Sequence, residues 1–156
     1  MNILPKAAVA VSVLLLTTAV LAQPTPQEQA ERAVELRQSI LKLVASNFGP
    51  LRAMGRGDIP VNAELAGKAA TRISQLSLMM TDYFAYDTRD FDVETEALPV
   101  IWEQPDAFAE KVMNLTNAAN AVVAAVESGD ADTIRDAAGS VGRNCGGCHD
   151  DFRVDN

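Results

Sequence analysis

The sequence predicts an all-α fold, an antiparallel up-down four-helix bundle. Three observations predict it. Ala, Leu, Glu, Gln and Arg dominate the chain after residue 27. Apolar residues recur there every three or four positions in four separable stretches. No stretch shows the alternation of a half-buried strand. Antiparallel amphipathic helices with short first and third connections form such a bundle.

The first helix is expected from about Gln27 to Met54, with an apolar stripe of Ala33, Leu36, Ile40, Val44 and Leu51. Val34, Leu41 and Phe48 widen that face. Pro50 removes a backbone donor and clashes with the preceding turn, so a kink or short break is expected at Gly49-Pro50. Gly55 and Gly57 end the helix. The second helix is expected from about Val61 to Phe84 on a stripe of Leu65, Ala69, Ile73, Leu76, Met80 and Phe84. Residues 85–104 then break the period and read as one long connection, with a short helical turn near Val100-Ile101-Trp102. Connections of this length are usually functional or packed onto something.

The third helix runs from Pro105, suited to a first helical position, to about Glu127. Phe108, Val112, Leu115, Ala119, Val122 and Val126 form its stripe. The fourth starts at Asp130, a good N-cap, and runs to near Arg153. Ile134, Ala138, Val141, Cys145, Cys148 and Phe152 continue one stripe, so both cysteines fall on the core-facing side.

Ahead of the bundle, Lys6 and the apolar run Ala7–Leu21 read as a secretory signal peptide, with small residues placing cleavage after Ala22. A membrane anchor is the competing reading. The run is short of the about 20 apolar residues a span needs, and no basic flank follows it. The expected division is therefore a signal peptide over 1–22 and one domain over 23–156, exported to the periplasm and not embedded in a membrane.

The full chain of 156 residues carries a net charge of −8. Only Lys6 of its 13 basic residues lies in 1–22, so the processed chain sets 12 against 21 acidic residues. That balance excludes nucleic acid as a partner. It suits a basic partner, or serves solubility alone.

Cys145-Gly146-Gly147-Cys148-His149 is the sequence of c-type haem attachment. Residues i and i+3 share a helix face, so two thiols can each add to one vinyl group of a single covalent haem c. His149 follows directly and can bind the iron through an imidazole nitrogen. Gly146 and Gly147 each cost a helix roughly 1 kcal/mol relative to Ala, which favours a steric reason for them. A redox dithiol is the first competitor, but it belongs at the start of a helix after a strand. Zinc wants about four ligands and finds three clustered. A chance pair of buried thiols leaves unexplained why the chain's one histidine is His149. With no second histidine, the other axial position holds Met, water, an exogenous ligand or nothing. Met54, Met79, Met80 and Met113 also read as core filler.

From these residues the chain resembles the class II cytochromes c, and most closely the cytochrome c′ family. The likeness rests on the attachment sequence near the C-terminus of a four-helix bundle and on Ala33–Ser39, Arg56-Gly57, Thr95-Glu96-Ala97, Ile101-Trp102 and Cys145–Arg153. The resemblance implies that Arg37 and Gln38 meet the haem and its propionates. It implies that Leu41 faces the vacant side of the iron, where methionine-ligated relatives carry Met. Thr95 and Glu96 match residues touching the haem edge, Phe84 an aromatic near the pocket, and Arg153 a basic residue on the proximal side. Arg37 and Arg153 taken alone also read as solvated helix arginines. Pro50 departs from the family pattern.

The implied function follows from Leu41. Leucine cannot ligate iron, so the haem is expected to be five-coordinate and high-spin, binding nitric oxide and carbon monoxide and taking part in electron transport with a redox partner. The alternative is a low-spin, methionine-ligated electron carrier. An enzyme is not expected. The resemblance further implies an antiparallel homodimer through the first two helices.

Overall fold

A computed structural model describes residues 23–154. The signal peptide expected over 1–22 lies outside the described residues. Helix α1 (Pro26–Arg56) begins at an N-cap, Thr25. Its hydroxyl accepts from the Glu28 N–H at 3.2 Å, while the Glu28 carboxylate accepts from the Thr25 N–H at 2.7 Å. This reciprocal pair satisfies two donors that a helix start leaves open. Pro50 does not break α1, which continues for 31 residues. Leu51 and Met54 beyond it are fully buried. Each contributes about 1.5–3 kcal/mol by burial, which together offsets the ~3 kcal/mol a helical proline costs. Gly57 then ends α1 at φ 76°, a left-handed conformation that glycine adopts without strain.

The second expected helix is two. Helix α2 (Ala63–Ser77) and helix α3 (Met80–Phe84) are separated at Leu78-Met79. The Ser77 hydroxyl donates to the Ser74 carbonyl at 2.9 Å, competing with the Leu78 N–H that reaches the same oxygen at 3.3 Å. Side-chain bonds of this kind weaken a helical ladder, and Met79 N–H turns to the tighter Leu76 carbonyl instead. Helix α4 (Val100–Glu103) is the short turn expected in the long connection. Helices α5 (Pro105–Ser128) and α6 (Ala131–Phe152) follow the expected bounds within two residues. Asp130 caps α6 as expected, accepting from the Thr133 N–H at 2.9 Å.

The four long helices pack in the order α1, α2, α5, α6 around a square, each on its chain neighbours, with α6 closing on α1. At the α1–α6 seam, a Cβ on Gly55 would lie 3.1 Å from the Gly139 backbone nitrogen. A Cβ on Gly142 would lie 3.0 Å from Phe48 Cζ. These contacts run the two helices antiparallel, so the first half of α1 lies beside the cysteine-bearing half of α6.

Two stripes differ from expectation. In α1 the buried positions are Ala30, Val34, Arg37, Ile40, Val44, Leu51 and Met54, whereas Leu36 is 48% exposed. The interior face is rotated because Arg37, not Leu36, has partners to satisfy inside. In α2, Leu65 faces solvent, and Ala66 and Ala70 are buried beside the expected Ala69. Small residues let neighbouring helices approach closely.

Candidate haem site

The long connection is laid across one end of the bundle by side chains of α1. Arg37 is only 2% exposed, so the reading of it as a solvated arginine fails. Its Nε donates to the Tyr83 carbonyl at 2.8 Å, its Nη1 to Thr88 Oγ1 at 3.0 Å, and its Nη2 to the Tyr86 carbonyl. The guanidinium lies over the rings of Phe84 and Trp102, 5.0 and 5.1 Å from their centroids. Burial pushes its pKa down and Asp87 opposes the shift; an arginine keeps its charge regardless. Gln27 and Gln38 add bonds to the carbonyls of Asp92 (2.9 Å) and Glu94 (3.3 Å). The Tyr86, Asp92 and Glu94 carbonyls of the connection thereby find donors on α1.

Beneath Arg37 an aromatic row crosses three helices. Phe84 meets Phe108 at 4.8 Å between centroids, and Phe108 meets Phe152 edge-on at 5.4 Å. Phe152 ends α6, three residues after His149. The connection also pairs with the chain beyond α6: Leu98 N–H donates to Phe152 O at 3.0 Å and Val154 N–H to Glu96 O at 2.9 Å. Arg153 lies in that bridge opposite Ala97, its Nε 4.0 Å from the Glu96 carboxylate, and its N–H caps the His149 carbonyl at 3.0 Å. Phe84, Glu96, Arg153 and the attachment turn thus share one end of the molecule with Arg37 and Gln38. Thr95 stands exposed beside them, its hydroxyl accepting from the Ala97 N–H at 3.1 Å. Leu41, one turn after Arg37, is 40% exposed. An open cleft of about 370 Å³ between α1 and the connection is lined by Val34, Glu35, Gln38 and Glu94 among others.

Cys145 and Cys148 form no disulfide with each other, are half-buried rather than fully inside, and pack against the core. Burial pushes the pKa of both up, with Lys111 opposing at Cys148. His149 is exposed. Partial desolvation of its ring by the surrounding chain, and then the charge of Arg153, push its pKa down against Asp150 and Glu96, which favours the neutral imidazole. Among the described residues no three His, Cys, Asp or Glu side chains gather as a metal cage. The donor set fits a haem c: two neutral thiols on one helix face, an imidazole next to them, and open space where a Cβ on Gly146 would lie.

Sequence reasoning missed Lys111. Its Nζ, reaching from α5, donates to the Gly147 carbonyl at 2.9 Å and pairs with Asp151 at 2.7 Å. The available signal was its place one turn after Phe108 on the side of α5 that meets α6. It also missed Trp102 as a donor, whose Nε1 reaches the Phe84 carbonyl at 2.8 Å. The methionines divide. Met54 and Met80 are buried in the core, and the Met54 sulfur accepts from the Asn62 N–H at 3.3 Å. Met79 and Met113 are exposed.

A four-helix bundle whose last helix carries two cysteines three residues apart and a following histidine defines a c-type haem protein of the bundle class. The long connection strapped over that helix end narrows the class further. The chain belongs to the cytochrome c′ family: residues 32–153 match the family described as Cytochrome C'. It is 36% identical over 145 residues to cytochrome c-554 of Cereibacter sphaeroides, covering 90% of this chain and 94% of the relative. It is 39% identical over 127 residues to a cytochrome c' of the same organism, covering 80% and 85%. Among solved structures it is similar to a ferrous arginine-to-lysine variant of cytochrome c prime from Alcaligenes xylosoxidans with bound NO. That likeness has a TM-score of 0.71 at 31% identity over 81% of this chain and 97% of the other. The cofactor is accordingly a covalently bound haem of the c type.

Proposed function

We propose that this chain is a periplasmic haem protein that binds nitric oxide and carbon monoxide at five-coordinate iron and also takes part in electron transport. Cys145 and Cys148 hold the haem through thioethers, and His149 is the one protein ligand to iron. The observation that carries the reading is the residue type at position 41. Cys145 and Cys148 pack against the core, and one turn after Arg37 the chain has a leucine, 40% exposed, which cannot ligate iron. Bound haem supplies an iron that takes a diatomic gas on its open face and carries an electron by changing oxidation state.

The chain's own residues set the conditions. In this reading Gln38, Thr95 and Glu96 are the polar partners of the haem edge. Arg37 holds the connection in place from below. Phe84 supplies an apolar wall, and Arg153 a positive charge beside His149. Met54 and Met80 are committed to the core, which supports an open sixth position. The NO-bound relative named above supports the choice of ligand.

An optical spectrum of the reduced protein tests the reading: a high-spin spectrum that changes on adding nitric oxide or carbon monoxide is expected. A low-spin resting spectrum with a methionine–iron band overturns it. That outcome belongs to a second reading, a methionine-ligated electron carrier, which Met79 favours by standing exposed at the α2–α3 break. Intact mass one haem above the processed chain, with neither thiol alkylatable, tests the attachment.

The assembly belongs to the same proposal. Leu36 (48% exposed) and Leu43 (53%) lie seven residues apart on one side of α1, and Leu65 is exposed on α2. An antiparallel homodimer through these two helices covers them, and sedimentation giving a dimer is expected. A monomer at all working concentrations removes the dimer alone. No described helix is long and apolar enough to cross a membrane, which supports a chain free of the bilayer after loss of 1–22. The acidic surface supports a basic redox partner over nucleic acid. No catalytic acid–base pair enters the reading: the chain acts by binding and electron transfer, not as an enzyme.

A further inference from the structure

We infer that Lys111 is a positioning residue of the haem site, fixing the attachment turn against α5 and holding a positive charge beside it. The inference rests on haem attachment at Cys145 and Cys148. Lys111 reaches across the α5–α6 seam and donates to the Gly147 carbonyl at 2.9 Å. Gly147 lies between the two cysteines. In an α-helix its carbonyl also accepts from the N–H of residue 151, so the ammonium occupies the oxygen's second lone pair. The same Nζ pairs with the Asp151 carboxylate, one turn on, at 2.7 Å. Lys111 therefore grips α6 at two points that straddle Cys148 and His149.

Two features make this more than a surface ion pair. The Lys111 side chain is 35% exposed, so part of its stem lies along the helix seam. It also lies three residues after Phe108, whose ring wedges between Phe84 and Phe152. The aromatic row fixes the end of α6 on one side of His149, and Lys111 fixes the turn on the other. The chain then has little freedom to tilt between them.

The charge has its own consequence. A fixed cation next to a redox group stabilises the state with one more electron, and so raises the reduction potential. A purely mechanical tether does not require this, which makes the potential the discriminating measurement.

The test uses the holoprotein with Lys111→Met, Lys111→Arg and Lys111→Gln. Lys111→Met is expected to lower the reduction potential and to speed amide exchange severalfold over residues 147–151. Lys111→Arg restores the potential. Lys111→Gln, which keeps a donor without the charge, lowers the potential with slower exchange than Lys111→Met, and it serves if the methionine variant does not accumulate. A wild-type potential in Lys111→Met and Lys111→Gln overturns the inference, whatever happens to stability. Peptide mapping of the wild type separates this failure from that of the underlying reading. Haem found off the 145–149 peptide overturns the reading; haem found there with an unmoved potential overturns only the inference.

Discussion

Arg37 and Trp102 cap the end of α3 together. Arg37 Nε donates to the Tyr83 carbonyl and Trp102 Nε1 to the Phe84 carbonyl, both at 2.8 Å, while the guanidinium lies 5.1 Å from the indole centroid. The last carbonyls of a helix lack intrahelical partners and favour cations. One buried cation and one indole N–H therefore close a five-residue helix that propensity alone could not hold.

Arg37→Met is predicted to cost about 3 kcal/mol, because it leaves two part-buried carbonyls and the buried Thr88 hydroxyl without their donor, at about 1–3 kcal/mol for a fully buried group. Arg37→Lys recovers little, since an ammonium cannot span three acceptors in a fixed fork. Trp102→Phe keeps most of the packing and is predicted to cost about 1 kcal/mol, the worth of one hydrogen bond. Denaturant unfolding of the holoprotein measures all three.

Leu41→Ala is predicted to cost about 1 kcal/mol. A fully buried leucine would lose about 2–5 kcal/mol, but Leu41 is 40% exposed. Carbon monoxide association should quicken, because the leucine blocks access sterically. Leu41→Met should move the iron toward six-coordinate, low-spin ligation. Stopped-flow mixing and absorption spectra read both; an unchanged association rate removes Leu41 from the open face.

Two glycines should respond with opposite signs. Gly67→Ala gains helix propensity, about 0.5–1 kcal/mol, and its methyl makes ordinary contact with Val126 at 3.6 Å. Gly55→Ala would press 3.1 Å from the Gly139 backbone nitrogen. Backbone yields little, so a net loss of about 1 kcal/mol is predicted despite the same propensity gain. Thermal unfolding of the pair decides.

Stability is predicted to fall in acid. The Asp130 carboxylate, bonded to Thr133, and the Glu28 carboxylate, bonded to Thr25, are both held below their ordinary pKa. Asp87 is held down by Arg89 in the same way. A group with a depressed folded pKa contributes stability above its unfolded value, about 3.9 for Asp and 4.3 for Glu, and loses it as pH falls through the folded one. The slope of unfolding free energy against pH should steepen below about pH 4. Asp130→Ala should flatten part of it; a slope identical to wild type would refute the assignment.

Export predicts a mature N-terminus at Gln23. Thr25 is already the N-cap of α1, and Gln29 Nε2 donates to the Pro24 carbonyl at 2.9 Å. The folded chain thus makes use of residues just past the expected cut. N-terminal mapping of the purified holoprotein that returned Met1 would contradict cleavage.

The sequence by itself determined the elements with local causes. Thr25, Asn62 and Asp130 cap because their side chains reach N–H groups three residues on. Gly57 and Gly129 end helices through positive φ. Cys145 and Cys148 share a face because three residues nearly complete a turn. The tertiary structure decided what depends on a distant partner. Periodicity shows that α1 has an apolar side, but not that the interior line runs through Arg37 rather than Leu36. That choice follows from carbonyls 46 and 49 residues away. Lys111 is likewise an ordinary polar residue of its own helix, and only the packing of α5 on α6 brings it to Gly147. The break at Leu78-Met79 follows from Ser77, whose hydroxyl meets Thr116 at 2.7 Å across the core. A short-range pattern fixes which way a side chain points from its own axis. Which charge is buried, and on what, depends on the polar groups that the other helices leave unpaired.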